Sequence, residues 1–143
     1  MWYQKYFLFL SVLAIMSLIL PFNVPIKGSL AQSFTSNIDT SFLSEEDDKL
    51  YLLKGDQYVR LTFYVGQGAT MDSGYPQPIS NWIGLPINFT SNIDASFLSE
   101  EDNKLYLLKG DQYVRLTFYV GQGATMDSGY PQPISNWVDP PDS

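Results

Sequence analysis

An internal repeat constrains this chain more than any other feature. The segment Phe34–Trp82 recurs as Phe89–Trp137, displaced by 55 positions, and only two of the 49 paired positions differ. Thr40 becomes Ala95, and Asp48 becomes Asn103. Repetition at such a period marks stacked supersecondary units, because one small unit cannot bury its apolar faces except against a neighbour. The chain therefore divides into a leading segment over residues 1–31, a first unit over 32–87 and a second over 88–143.

Each unit reads as four short extended segments. Asn37–Phe42 alternates Ile38, Thr40 and Phe42 on one face, the pattern of a half-buried strand. Glu45–Asp48 is an acidic loop. Lys49–Leu53 and Gln57–Phe63 flank the turn Lys54-Gly55-Asp56, so they predict a hairpin. Gly66 and Gly68 punctuate a further loop, and Ala69–Asp72 predicts a short outer strand. Pro76–Trp82 predicts a short helix whose Ile79 and Trp82 cover the next unit. Aromatic residues make up 15% of the chain, which favours strands over helices. Four strands joined by glycine turns describe a propeller blade.

The leading segment has a different character. Trp2–Lys5 is a polar start with one positive charge, Tyr6–Leu20 is fifteen residues that are apolar but for serines, and Pro21 and Pro25 break the run. Ser29-Leu30-Ala31 places small residues at the −3 and −1 positions of a cleavage site before Gln32. This order is that of a secretory signal peptide. The competing reading, an uncleaved anchor, asks for about 20 apolar residues without such breaks. Export predicts a secreted, extracellular or periplasmic protein, free of the membrane once cleaved.

The residue inventory restricts chemistry severely. The chain has no His and no Cys, so disulfides, thiolate metal sites, imidazole ligands and the usual Ser-His or Cys-His nucleophile pairs are excluded. Without residues 1–31, six basic residues face fifteen acidic ones, a formal charge of −9. Phosphate backbones and anionic membrane surfaces are poor partners for such a chain, so nucleic acid is not expected.

The motifs Ile38-Asp39-Thr40-Ser41-Phe42 and Ile93-Asp94-Ala95-Ser96-Phe97 resemble the openings of hemopexin repeats. Lys49–Arg60 with its Lys-Gly-Asp turn, and Met71–Trp82 with Gly74-Tyr75-Pro76, resemble the body and close of the same repeat, as does the linker Ile83-Gly84-Leu85-Pro86. The likeness covers residues 37–137 twice, in order. It implies an all-β fold: two four-stranded antiparallel blades of a hemopexin-type, four-bladed β-propeller around an axial channel, following the signal peptide. Only two blades are present, and the second runs into Val138-Asp139-Pro140-Pro141 instead of Gly-Leu-Pro.

The resemblance also implies a site. Backbone carbonyls of Asp39 and Asp94, with those of Ser41 and Ser96 two residues on, would face the channel and bind Ca2+ or Na+, which are hard cations suited to oxygen ligands. The other reading makes these aspartates strand-start hydrogen-bonding groups. Lys54-Gly55-Asp56 and Lys109-Gly110-Asp111 read as turns rather than integrin-type tripeptides. Glu45–Asp48 and Glu100–Asn103 lack the ligand order of an EF-hand loop, and Gly66-Gln67-Gly68 lacks a third glycine and a following helix. Asn88-Phe89-Thr90 has the form of an N-glycosylation acceptor.

These features predict a non-enzymatic binding or interaction module for a protein or small-molecule ligand. One alternative is a haem or other small-ligand binder without histidine ligation, using tyrosine or Met71 and Met126. Another is a fragment of a longer propeller. A glycosidase-like carboxylate pair has no support in the spacing. Two blades leave two apolar faces, expected around Leu52, Tyr58, Leu107 and Tyr113, and a homodimer would complete four blades.

Overall fold

The computed structural model describes residues 33–138 of the chain. The expected signal peptide and the residues after Val138 lie outside that range.

Each unit folds as an antiparallel meander. In the first, β1 (Thr40–Ser44), β2 (Lys49–Lys54), β3 (Gln57–Tyr64) and β4 (Gly68–Met71) pair in sequence order. The two-residue β5 (Gln77–Pro78) pairs with the start of β3. The second unit repeats this with β6 (Ala95–Ser99), β7 (Lys104–Lys109), β8 (Gln112–Tyr119), β9 (Gly123–Met126) and β10 (Gln132–Pro133). Registers match across the copies: Tyr51 lies opposite Arg60, and Tyr106 opposite Arg115. Outer strand β4 reaches only Leu61–Tyr64, so β4 and β5 share the outer edge of β3.

Local chemistry sets the boundaries. The first strand starts at Thr40 rather than Asn37, because Asn37 adopts a left-handed φ of 52° and Asp39 turns its carboxylate away to the next hairpin. Asp48 and Asn103, one of the two substituted pairs, both sit at φ 53° where the loop enters the next strand. Asx residues tolerate that conformation, so Asp and Asn exchange there at little cost. The segment expected to be a short helix is β5 followed by one 3-10 turn, Ile79–Asn81. Pro76 and Pro78 carry no N–H to donate, which keeps the helix from extending over that segment.

The blades pack face to face. Phe42, Tyr51, Leu53, Tyr58, Ile79 and Trp82 of the first form one core with Leu105, Leu107, Val114, Leu116, Phe118 and Ala124 of the second, closed by Phe89 and Ile93 from the segment before β6. Ile79 and Trp82 are buried as their position requires. The linker also joins the second sheet: Ile83 bridges Thr125 in parallel, its N–H donating to the Ala124 carbonyl at 2.8 Å and its carbonyl accepting from Met126 at 2.8 Å.

Candidate functional site

Strands β1 and β6 lie side by side where the two sheets meet. The Ser96 hydroxyl donates to the Ser41 carbonyl at 3.1 Å, and Thr40 Oγ1 lies 2.9 Å from Ser96 Oγ. Ser41 and Ser96 are thus brought together, and the Ser41 carbonyl is aimed at the neighbouring blade. Thr40 joins this cluster although sequence reasoning did not single it out; the counterpart in the second blade, Ala95, has no hydroxyl.

Asp39 and Asp94 are placed differently. Their N–H groups donate to Leu53 and Leu108 carbonyls at 3.0 Å, extending the strand ladders. Their carboxylates accept the Gly55 and Gly110 amides at 2.7 Å. Each carboxylate therefore caps the turn of its own blade, where glycine takes φ 56° or 59°. This is the role of a hydrogen-bonding aspartate at a strand start. The Lys-Gly-Asp tripeptides are hairpin turns: Gly55 joins β2 to β3, and the Asp56 carbonyl accepts from Ile79 at 2.8 Å.

The ion pairs among the described residues form two copies of one network. Asp72 Oδ2 accepts from Arg60 Nε at 2.6 Å and lies 3.3 Å from Lys49 Nζ, while Asp72 Oδ1 accepts from Thr62 at 2.6 Å. The second blade repeats this with Asp127, Arg115, Lys104 and Thr117. The Thr62 hydroxyl, then Arg60 and Lys49, hold the Asp72 carboxyl below the usual range against the opposing effect of burial. Burial pushes the Asp127 carboxyl up, but Thr117, Lys104 and Arg115 outweigh it and hold it low. Carboxylates so neutralised are poor general acids or bases at neutral pH.

Arg60 extends beyond its own blade. Its guanidinium lies 5.3 Å from the Tyr75 ring centroid and reaches towards Gly121 of the second blade. Between them runs an open cleft of about 360 Å³, lined among others by Tyr58, Arg60, Tyr75, Trp82 and Gln122. Burial pushes the Tyr58 phenol up, so it stays protonated there. Met71 and Met126 sit on the outer strands of different blades, Met71 exposed and Met126 packed against the core.

The apolar faces differ from expectation. Tyr58, Leu107 and Tyr113 are buried, and Leu52 is half-buried. The open large apolar side chains include Leu43, Phe63, Val65 and Met71 on the first blade, and Phe97, Trp137 and Val138 on the second. Alternation within a strand shows that it has two faces; it carries no signal for which one a neighbour covers.

The Hemopexin family model matches residues 38–86 and 93–139. Albumin-2 of Pisum sativum is 35% identical over 99 residues, covering 66% of this chain and 39% of the pea protein. A hemopexin-fold protein from cow pea superposes with TM-score 0.59 at 30% identity, over 78% of this chain and 48% of its own. A lectin from Cicer arietinum described as having two metal-binding sites gives TM-score 0.59 at 27% identity, over 78% of this chain and 47% of its own. The chain thus spans less than half the length of each of these relatives.

Proposed function

The chain belongs to the hemopexin family, and on that premise we propose that it is a secreted binding module without catalytic activity whose inner strands take a hard cation. The ligands would be main-chain carbonyls of Asp39, Ser41, Asp94 and Ser96. The carrying observation is the 3.1 Å hydrogen bond from Ser96 to the Ser41 carbonyl, since it directs a main-chain oxygen out of its own blade and towards the strand β6 of the next. An all-oxygen donor set suits Ca2+ or Na+. The chickpea lectin, with its two metal-binding sites, supports the same reading. When bound, the cation supplies charge that main-chain oxygens can share between blades; the chain's own residues supply the oxygens and cap the adjoining turns.

The non-catalytic reading is supported by a chain without His or Cys and by Asp72 and Asp127 being committed to ion pairs. Secretion rests on the Tyr6–Leu20 apolar run and the Ser29-Leu30-Ala31 motif. N-terminal sequencing of exported protein should begin at Gln32, and a membrane-retained form beginning at Met1 contradicts it.

Thermal melts of the purified protein test the cation. Millimolar calcium, or sodium, should raise the midpoint relative to chelator in a sodium-free buffer, because a ligand of the native state stabilises it by about 2.7 kcal/mol at a hundredfold excess over Kd. Elemental analysis should find the ion in the purified protein. Melts unmoved by both ions, with no ion retained, would overturn the reading.

A further inference from the structure

We infer that two copies of this chain close on each other, each junction between them repeating the junction already buried inside one copy. The buried junction has a defined shape. Phe42 and Tyr51 stack at 4.7 Å with their rings 4° from parallel, and Phe118 of the second blade meets both edge-on at 5.5 and 5.4 Å. Trp82 lies against Gly123, so close that a Cβ there would sit 3.3 Å from Trp82 Cδ1. One side of the junction is an aromatic stack with a tryptophan; the other is a phenylalanine and a bare glycine.

Because the blades are near-identical, the same two half-junctions recur on the open faces. On the second blade Phe97 and Tyr106 stack at 4.7 Å and 9°, beside Trp137, around an open hollow of about 390 Å³. On the first blade Phe63, the counterpart of Phe118, stands 48% exposed, and Gly68, the counterpart of Gly123, has open space over it. The chain therefore carries a bare stack at one end and the phenylalanine that fits it at the other. Phe63 cannot reach the stack of its own molecule while the two blades are packed together, but it can fill that of a second copy.

The main chain marks the same open edge. Trp82 has extended backbone, φ −74° and ψ 129°, which leads Ile83 into its bridge with Thr125. Trp137 follows an identical motif but curls to φ −92° and ψ −24°, and Val138 is left 65% exposed. A second copy would offer Ala69–Met71 to Val138 as β9 offers Ala124–Met126 to Ile83. One contact would be missing: Ala95 cannot supply the hydroxyl that Thr40 shares with Ser96.

Two copies related by a twofold axis form both junctions at once and leave no such face open, and closed twofold symmetry is the commonest arrangement of homo-oligomers. Length agrees. The part of this chain that superposes on the solved neighbours is 45–48% of each, so two copies account for nearly the whole of a neighbour. The inference stands apart from the cation reading, since a two-chain mass with no response to ions supports one and overturns the other.

Sedimentation equilibrium of the full chain, expressed through a secretory route, should give twice the mass of the released chain. Phe63→Glu and Phe97→Lys should each sediment at the single-chain mass and retain β-sheet circular dichroism, since both side chains are about half exposed. Mixed in equal amounts, the two variants should recover the two-chain mass: one junction is then wild type, and the other sets the introduced carboxylate against the introduced ammonium. A single-chain mass for the wild type, a ladder of higher masses, variants that remain paired, or a mixture that stays single would each overturn the inference. Loss of sheet signal in either variant would overturn the claim that these are open faces.

Discussion

Trp82 of the first blade is seated on Gly123 of the second, so close that a Cβ there would lie 3.3 Å from Trp82 Cδ1 and the indole would have to give by a few tenths of an ångström. Gly68, at the same place in the first blade, has nothing within 4 Å of such an atom. Both glycines have positive φ, 101° and 92°, so alanine strains the backbone comparably at either, by about 1–3 kcal/mol. Gly123→Ala should therefore melt well below Gly68→Ala when both are placed in the Phe63→Glu background, which removes the proposed partner. Equal midpoints would mean that Trp82 yields freely.

A second paired test uses phenylalanine. Phe118 is 4% exposed and Phe63 48%. Phe118→Ala should cost about 3–5 kcal/mol in denaturant unfolding, the range for emptying a packed aromatic site. Phe63→Ala in the single chain should cost less than half as much, because much of that ring is already in water. Similar losses at both positions would show that the faces are buried alike.

The turn caps predict a third result. Asp39 accepts the Gly55 amide and Asp94 the Gly110 amide, both at 2.7 Å. Replacing either carboxylate by alanine removes a charge-assisted hydrogen bond and should destabilise by about 1–2 kcal/mol. Asparagine keeps an acceptor and should lose less. Under the cation proposal the Asp39→Asn protein should still respond to calcium, since the ligand there is the main chain; loss of the response with the fold intact would assign the ion to the carboxylate.

The paired Asp72 and Asp127 networks predict an acid limb. Both carboxyls titrate lower folded than unfolded, so the folded state favours their ionised forms. Their contribution is therefore complete above the ordinary carboxylate range, from about pH 5 upwards. It disappears as pH falls through the lower folded values, where the folded protein must take up protons too. Melting temperature should hold steady from pH 7 to about 5 and then fall. Asp72→Asn combined with Asp127→Asn should lower the plateau and flatten that fall. An unchanged acid limb in the double variant would place the effect in other carboxylates.

The strands and turns were legible in the sequence because their causes are local. Alternation placed β2, β3 and their copies within a residue or two, glycines placed the hairpins, and the motifs from Ile38 to Trp82 identified the blade. Boundaries slipped where a side chain acted across the blade. The left-handed Asn37 delayed the first strand while the Asp39 side chain capped Gly55, and the prolines cut the expected helix to one turn. The contacts of the inner strands were legible only in part: the repeat placed Ser41 and Ser96 at matching positions, whereas their meeting and the use of the Asp39 and Asp94 carboxylates as caps depend on where the neighbouring strand and the following hairpin lie.

What the sequence determined by itself is the blade, its number of copies and its turns, since these follow from propensity, period and backbone freedom within some 50 residues of chain. It could not determine which face of a blade is covered. Trp82 and Trp137 share the same local motif, yet one is 2% exposed and the other 41%. Two identical segments can differ only through what packs against them, and burial is a property of the neighbour. The tertiary structure decided that the aromatic stack of the first blade and the Leu105–Phe118 side of the second are the pair that meet, because only the order of blades along the chain brings those two faces together.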